Sequence, residues 1–219
     1  MGRTRAGMES ADGAGCHPGR GPCGDSGACA IIEPVEYCEV TMKQNLRALL
    51  AKLDTHREAI ALAVLETELK MTDLADGDFQ RWVAFGDKAY RRNLLHEGPA
   101  YHALIICWRP GQRSPIHDHS GSSCAVRVLQ GIATETMIAM TRQGLVYATS
   151  SSNYPVGSVI GSYDGDTHQI SNLQPPGQDL VTLHIYSPPL LRMNRFSLTD
   201  SHVESFVDPV EYFGEGAGI

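Results

Sequence analysis

Residues 111–131 read GQRSPIHDHSGSSCAVRVLQG and contain two histidines, His117 and His119, one residue apart. In an extended strand, residues i and i+2 face the same side, so the two imidazoles would project together. That geometry suits chelation of one metal ion. The alternative is a chance pair, because the chain has nine histidines among 219 residues. The residues that surround the pair bear on this choice.

Glycines flank the histidine pair at fixed distances: Gly111 lies six residues before His117, and Gly131 lies twelve residues after His119. A second segment, residues 157–172, reads GSVIGSYDGDTHQISN. It carries another ordered pattern of glycine, histidine and asparagine, at Gly157, Gly165, His168 and Asn172. Together the two segments resemble the two motifs of the cupin superfamily, G-x5-H-x-H-x4-E-x6-G and G-x5-P-x-G-x2-H-x3-N. We therefore predict a metal site.

Two positions depart from the cupin motifs, because Cys124 stands at the glutamate position and Tyr163 at the proline position. The resemblance then implies a metal held by three neutral imidazoles, those of His117, His119 and His168. Without an anionic ligand, the metal would keep its full charge, favour an incoming anion and lower the pKa of a bound thiol. Imidazole ligands suit Fe(II) but also zinc, copper and nickel, so the ligand type does not by itself name the metal.

His184 is the rival candidate for the third ligand. It lies in LVTLHIYSPP (180–189), on the same strand face as Thr182 and Tyr186. We prefer His168, because His168 falls within the second cupin motif and His184 does not. His184 would instead orient the Tyr186 hydroxyl through a hydrogen bond, or it is a hydrogen-bonded histidine of the barrel interior.

The chain changes in character near residue 88. Apolar residues recur at helical spacing over 42–54, strong helix formers continue over 56–71, and a third short helix is predicted near 77–84. Beyond them, short β-forming runs such as YHALIICW, CAVRVLQG and LVTLHIYS alternate with turn residues. Many short strands of this kind are typical of closed or double-sheet β architectures. We predict a mainly β protein, a cupin (jelly-roll-like) β-barrel with N-terminal helices packed on it.

The first thirty residues are rich in Gly and Ala, which predicts a flexible tail over 1–30. One cupin domain is predicted over 31–219, helical over 42–85 and a β-barrel over about 88–206. Three of the six cysteines lie in the predicted tail, and no CxxC pair occurs. The spacing matches no usual zinc motif, but a second metal site remains an alternative there, formed by Cys16, His17, Cys23 and Cys29.

The composition is that of an ordinary globular protein, with 42% hydrophobic and 20% charged residues. A formal net charge of −7 argues against a nucleic-acid partner. No apolar run approaches the roughly 18 residues of a membrane helix. Arg3 and Arg5 are not followed by the apolar region of a signal peptide. We expect a cytoplasmic monomer with neither nucleic acid nor membrane as a partner.

Three stretches resemble the thiol dioxygenases, most closely the cysteine dioxygenase type I family: YRRNLL (90–95), ICWRPGQRSPIHDHSGSSC (106–124) and LHIYSPP (183–189). The resemblance spans roughly residues 88–190, with a compatible helical start from about residue 42. It implies a cupin barrel that holds a single Fe(II) ion through the three histidines. The implied reaction adds both atoms of O2 to the sulfur of L-cysteine and gives cysteine sulfinic acid.

The same resemblance assigns roles around the iron. Arg92 matches the family's carboxylate-binding arginine, and a planar guanidinium can hold a carboxylate through two parallel hydrogen bonds. Tyr90 would share the inner strand face with Arg92 and is predicted to bind the substrate with it, while Arg91 points outward. The alternative is that the two arginines form a solvated surface pair. Cys124 matches a cysteine that a thioether joins to the tyrosine matched by Tyr186. A small thiol that only fills space is the alternative.

Two alternative functions remain open at this point. One is the same oxidation of another small thiol, such as 3-mercaptopropionate, and the other is a non-catalytic cupin that binds a metal or a small ligand. Relatives that prefer 3-mercaptopropionate carry glutamine at the arginine position, and branches acting on other thiols often carry glycine at the cysteine position. The presence of Arg92 and Cys124 therefore favours L-cysteine as the substrate.

Some residues depart from the family pattern or stand outside the predicted site. Thr182 replaces the usual serine two residues before the histidine, and Ser123 stands where a histidine precedes the cysteine in the animal enzymes. The SPP segment matches a family segment in which the bond at Ser187–Pro188 is cis. Trp108 and Tyr163 are alternative pocket-lining residues, but aromatic residues at such positions more often belong to the core, so we assign them to the core and leave them out of the predicted site.

Overall fold

The computed structural model describes the backbone of residues 34–212 and the side chains of residues 44–75 and 77–212. Three helices come first, α1 (Pro34–Leu53), α2 (Leu62–Met71) and α3 (Asp76–Phe79), and a 3-10 turn (Gln80–Trp82) follows them. The predicted tail over 1–30 and the alternative zinc site at Cys16, His17, Cys23 and Cys29 lie outside the described residues. Within the described part of the chain, no helix is both long enough and apolar enough to span a bilayer.

Ten strands follow in the described residues: β1 (Arg91–Glu97), β2 (His102–Trp108), β3 (Ser123–Gln130), β4 (Ile132–Met140), β5 (Val146–Pro155), β6 (Val159–Ser162), β7 (Thr167–Ser171), β8 (Leu180–Ser187), β9 (Met193–Phe196) and β10 (Val203–Phe206). They form a five-stranded sheet in the order β1-β2-β8-β3-β6, a three-stranded sheet in the order β5-β4-β7 and a pair β10-β9. Isolated bridges join the segment between β2 and β3 to β7, at Arg113↔Ser171 and His117↔His168, and to β9, at His117↔Arg195. The predicted mainly β barrel is confirmed.

Strand β8 is buried on both of its faces. Its odd-numbered residues pack in the cluster that contains the helix leucines, and these are Val181, Leu183 and Ile185. Its even-numbered residues Leu180 and Tyr186 belong to the cluster of the barrel interior. All eight residues of this strand, LVTLHIYS, are buried. Because strand residues alternate, Thr182 and His184 share the interior face with Tyr186.

The first two helices pack on the outer face of this sheet. Their buried residues recur every three or four positions, as expected for an amphipathic helix, at Leu46, Leu49, Leu53, Leu62, Leu65 and Leu69. These leucines join Ala103, Ile105 and Cys107 of β2 in one apolar cluster. The prediction that N-terminal helices cover the barrel is therefore confirmed.

The helix boundaries differ from those predicted. Helix α1 begins at Pro34 rather than at residue 42, and proline suits the first turn because an N–H there needs no partner within the helix. The prediction of helix over 56–61 is wrong, since α2 begins only at Leu62. The Ile60 N–H donates to Ser187 Oγ at 2.8 Å, and the Ile60 side chain is only 2% exposed. This attachment to the barrel outweighs the helix propensity of the segment.

The motif glycines occupy tight turns. Gly131, between β3 and β4, has a φ of +78°, and a Cβ there would lie 2.6 Å from the carbonyl oxygen of Asp179. Gly111 and Gly157 also have positive φ values, +86° and +87°. Glycine adopts this region without the steric cost that other residues incur. These three motif glycines thus stand where the backbone has a positive φ value.

Candidate metal centre

Two segments of the barrel bring three histidines together. The His117 N–H donates to the His168 carbonyl oxygen at 3.0 Å, and the His168 N–H donates to the His117 carbonyl oxygen at 3.0 Å. His168 lies on β7, whereas the expected strand around His117 and His119 is reduced to isolated bridges. The three side chains are buried, and one ring nitrogen from each lies within 4.8 Å of the others.

Each of the three imidazoles turns its Nδ1 toward an oxygen atom. These are the Pro115 carbonyl at 3.0 Å from His117, the Tyr163 carbonyl at 3.3 Å from His119, and Glu135 Oε1 at 2.7 Å from His168. Carbonyl and carboxylate oxygens accept hydrogen bonds, so each Nδ1 carries the hydrogen. The lone pair on Nε2 is then the one that each ring offers to a metal.

Burial keeps two of these histidines neutral. It lowers the pKa of His117 well below its usual value, and the neighbouring His168 and His119 lower it further. Burial, followed by the neighbouring His168, lowers the pKa of His119 to about 4. Neutral imidazole is the form that binds metal ions, so the site is ready to bind a metal at neutral pH.

The three histidines fit a transition-metal ion. Three Nε2 donors that converge in a buried pocket form a set that iron, zinc, copper and nickel accept. Three protein ligands also leave coordination positions for small molecules, as catalytic metal sites require. His184 is not part of this group among the described residues.

Arg92 lines the same buried pocket as the histidines. It lies on β1 and is only 4% exposed, while the neighbouring Arg91 faces outward toward Glu211. The Arg92 Nη1 donates to the carbonyl oxygen of Asp208 at 2.8 Å and lies 3.7 Å from Asp208 Oδ2. Both contacts use Nη1, so they do not involve the Nε and Nη2 edge of the guanidinium.

Tyr90 is the residue immediately before β1, and its side chain forms part of the pocket wall. Its ring stacks on Trp108, with the ring centroids 4.4 Å apart. Its hydroxyl donates to the Asp208 carboxylate. Burial and the charge of Asp208 raise the pKa of Tyr90 above its usual value, so this hydroxyl keeps its proton.

A chain of hydrogen bonds runs along the interior face of β8. The Trp108 Nε1–H donates to Thr182 Oγ1 at 3.0 Å, and that hydroxyl lies 2.9 Å from His184 Nε2. On the other side of the ring, His184 Nδ1 lies 3.1 Å from the Tyr186 hydroxyl. Both nitrogens of His184 are thus engaged. Burial and the nearby Arg92 lower the pKa of His184 well below its usual value, so the ring is neutral.

Cys124 and Tyr186 face each other across neighbouring strands. They are direct partners in the antiparallel pairing of β3 with β8, and both side chains are buried in the pocket wall. The Cys124 Sγ lies 3.9 Å from His184 Nδ1, and Cys124 is not in a disulfide. Burial raises the pKa of both the Cys124 thiol and the Tyr186 phenol.

Some pocket residues were not predicted from the sequence. Glu135 and Asp208 contact the predicted site residues, and Trp108, assigned to the core, also lines the pocket. A signal was available for Glu135, a single acidic residue in the β-forming run ATETMIAM. Asp208 had no such signal. The assignment of Tyr163 to the core is wrong: its side chain is 63% exposed, and its carbonyl group is the part that contacts His119. The Ser187–Pro188 bond is cis, as the resemblance implies.

Comparisons with known proteins show which proteins this chain is similar to. The family model "Cysteine dioxygenase type I" matches residues 39–199. "Cysteine dioxygenase type 1" of Danio rerio is 28% identical over 179 residues, which cover 77% of this chain and 87% of that protein. The Homo sapiens protein of the same name is 29% identical over 129 residues, which cover 57% of this chain and 64% of that protein. A solved double-stranded β-helix protein from Klebsiella pneumoniae is 17% identical, over 50% of this chain and 80% of that chain, with a TM-score of 0.41.

Proposed function

This chain belongs to the cysteine dioxygenase type I family, and from that premise we propose that it adds both atoms of O2 to the sulfur of L-cysteine. The product is cysteine sulfinic acid, in which the two oxygen atoms are bonded to the former thiol sulfur. One observation carries the proposal. A buried pocket is lined both by the three-histidine group and by Arg92, which pairs a metal site with a carboxylate anchor.

Iron is the metal that we propose for this site, held by His117, His119 and His168. The family membership supports it, and the three imidazole donors suit it. When bound, Fe(II) supplies the redox chemistry that joins O2 to a thiolate. The chain's own contribution is a set of three oriented imidazole donors in a buried pocket.

Arg92 is the proposed anchor for the carboxylate of L-cysteine. Its position on the interior face of β1 supports this role, as does the guanidinium edge not used by Asp208. Two parallel N–H···O bonds would fix both the position and the rotation of the substrate. Fixing the substrate in this way holds its thiol in one place and removes much of the entropic cost of the reaction.

Tyr186 and His184 are the proposed catalytic residues. The raised pKa of Tyr186 keeps its hydroxyl protonated, so it is able to donate a hydrogen bond to the substrate carboxylate or to reacting oxygen. The Nδ1 atom of His184 contacts that hydroxyl, and its Nε2 atom contacts the Thr182 hydroxyl. These two contacts fix the orientation of the imidazole ring. Trp108 and Tyr90 stack against each other as an aromatic wall, which supports a role in excluding water.

Oxygen uptake tests the proposed function directly. Fe(II)-loaded protein is given L-cysteine or 3-mercaptopropionate separately, and the mass of each product is recorded. We expect uptake with L-cysteine and a product heavier by two oxygen atoms. Uptake only with 3-mercaptopropionate would keep the chemistry and refute the assigned substrate. Iron binding without uptake from any thiol would instead support a non-catalytic cupin.

We also propose a thioether cross-link between Cys124 and Tyr186. The link would replace an S–H bond and a ring C–H bond by one C–S bond, with O2 as the oxidant. We therefore expect a protein population with an intact mass two hydrogens below the sequence mass, even after reduction. The Cys124→Ala variant should lack it, and Cys107→Ala, which removes the buried cysteine on the helix side, should retain it. A purely unmodified mass after repeated turnover would contradict the cross-link.

The remaining sequence predictions are also proposals. We propose one cupin domain over 31–219, in which the helices and the barrel share a single apolar cluster where they meet. We further propose a monomer that acts in the cytoplasm. Sedimentation and cell fractionation would test these two points.

A further inference from the structure

We propose that Glu135 is a positioning residue that provides, through His168, the negative charge which the metal centre lacks among its direct ligands. Cys124 stands where the cupin motif has its glutamate, so the three proposed ligands include no carboxylate. Glu135 lies 11 positions after Cys124 in the sequence. Its carboxylate accepts a hydrogen bond from His168, which is one of the three proposed metal ligands. The proposal rests on the proposed function only through the three-histidine metal site.

The sheet geometry brings Glu135 to His168. Glu135 is paired with Ile170, and Met137 is paired with His168, in the antiparallel ladder between β4 and β7. Glu135 and His168 are therefore diagonal neighbours on one face of the sheet, a separation that long side chains can bridge. The resulting contact joins Glu135 Oε1 to His168 Nδ1 at 2.7 Å, the short distance typical of a charge-assisted hydrogen bond.

The burial of Glu135 shows that the contact is not a surface ion pair. Glu135 is 6% exposed and His168 is 2% exposed. A carboxylate removed from water is costly unless hydrogen bonds or an opposite charge compensate it. The charge of Glu135 also extends across the pocket: burial raises the pKa of the Cys124 thiol, and Glu135 adds to that rise. A cation held by the three histidines would compensate this buried charge.

The three histidines differ in what supports them. The Nδ1 atoms of His117 and His119 face neutral backbone carbonyls, whereas that of His168 faces a carboxylate. A carboxylate that accepts the Nδ1–H fixes the ring orientation and makes Nε2 a stronger electron donor. Residues in this position change metal affinity or activity by roughly 10- to 100-fold when they are replaced. His168 should therefore be the strongest donor of the three.

Metal affinity tests the proposal without reference to turnover. Fe(II) is titrated anaerobically into metal-free protein against a coloured ferrous chelator of known affinity. Glu135→Gln keeps an oxygen that can accept the Nδ1–H but removes the charge, and we expect its affinity to fall about 10-fold. Glu135→Leu removes both the charge and the hydrogen bond, and we expect a fall of about 100-fold. If Glu135→Leu does not fold, the glutamine variant still decides.

The matched control is Glu97→Gln. Glu97 also contacts a histidine, with its Oε1 3.3 Å from His102 Nε2, but neither residue lines the pocket. We expect wild-type Fe(II) affinity for this control. An affinity for Glu135→Gln within twofold of both the wild type and this control would overturn the proposal.

Co(II) supplies a spectroscopic check that a merely structural role would not affect. Its visible absorption bands report the donor strength of its ligands, so we expect them to shift in Glu135→Gln and to stay unchanged in Glu97→Gln. Identical spectra would overturn the proposal. The two hypotheses can also fail separately. A wild-type protein that binds Fe(II) but oxidises no thiol would refute the proposed function and leave the Glu135 result intact.

Discussion

His168→Ala is expected to lose Fe(II) on dialysis and to lose thiol oxidation with it, whereas His184→Ala is expected to retain one equivalent of iron. His168 is one of three histidines whose ring nitrogens converge, while both nitrogens of His184 are engaged by Thr182 and Tyr186. Binding at a four-ligand structural zinc site is worth about 10–16 kcal/mol, so one ligand contributes on the order of 3 kcal/mol. The affinity of His168→Ala should therefore fall at least about 100-fold.

Iron content after dialysis and oxygen uptake are the two measurements for this pair. His184→Ala should combine a full iron content with reduced uptake, because the Tyr186 hydroxyl loses its partner. Comparing His168→Ala with His184→Ala also decides which of the two histidines is the third metal ligand. Full iron in His168→Ala together with loss of iron in His184→Ala would exchange their roles and refute the assignment.

Arg92→Gln is expected to lower kcat/KM for L-cysteine by about 100-fold while a thiol without a carboxylate, such as cysteamine, keeps its rate. Hydrogen bonds to charged groups contribute about 1.5–3 kcal/mol each, and a glutamine amide cannot form the two parallel bonds of a guanidinium. A loss of about 2.8 kcal/mol corresponds to that factor of 100. Steady-state oxygen uptake with each thiol measures the difference.

Two further variants make the Arg92 experiment specific. Arg91→Gln changes the neighbouring arginine, which faces outward toward Glu211, and should leave both rates unchanged. Removing Arg92 alone takes the neighbouring positive charge away from the Asp208 carboxylate, which keeps its hydrogen bond from Tyr90, and that carboxylate would repel a carboxylate substrate. Arg92→Gln combined with Asp208→Asn removes this repulsion. An L-cysteine rate restored to the wild-type value in the double variant would show that Arg92 does not bind the substrate.

The sequence was most informative where function constrains local backbone geometry. The glycine and histidine spacing of the two motifs predicts a three-histidine group through its resemblance to the cupin motifs, and Gly111, Gly131 and Gly157 do stand at positive φ values. The alternation of β8 is equally readable, since one face packs on the helices and the other lines the pocket. Local patterns therefore predict the architecture, whereas the roles of most site residues are predicted from the family resemblance.

Contacts between distant segments were not predictable in this way. The prediction of helix over 56–61 is wrong because Ile60 donates to Ser187, which is 127 residues away. Asp208 reaches Arg92 over 116 residues and lies in a segment with no motif. Glu135 was visible as an acidic residue within a β-forming run, but its partner His168 is known only once β4 and β7 are paired. Propensity and spacing carry no information on such pairings.

The final described segment of the chain extends the pocket beyond the family boundary. Residue 211 pairs with β1, where the Glu211 N–H donates to the Arg92 carbonyl at 2.7 Å and the Leu94 N–H donates to the Glu211 carbonyl at 2.9 Å. This pairing holds Asp208 beside Arg92 and Tyr90, although the family match stops at residue 199. Domain grafts or chimaeras cut at that boundary would transfer the three histidines without this wall. A segment that is moved to another protein to transfer the complete pocket must therefore extend at least to residue 211.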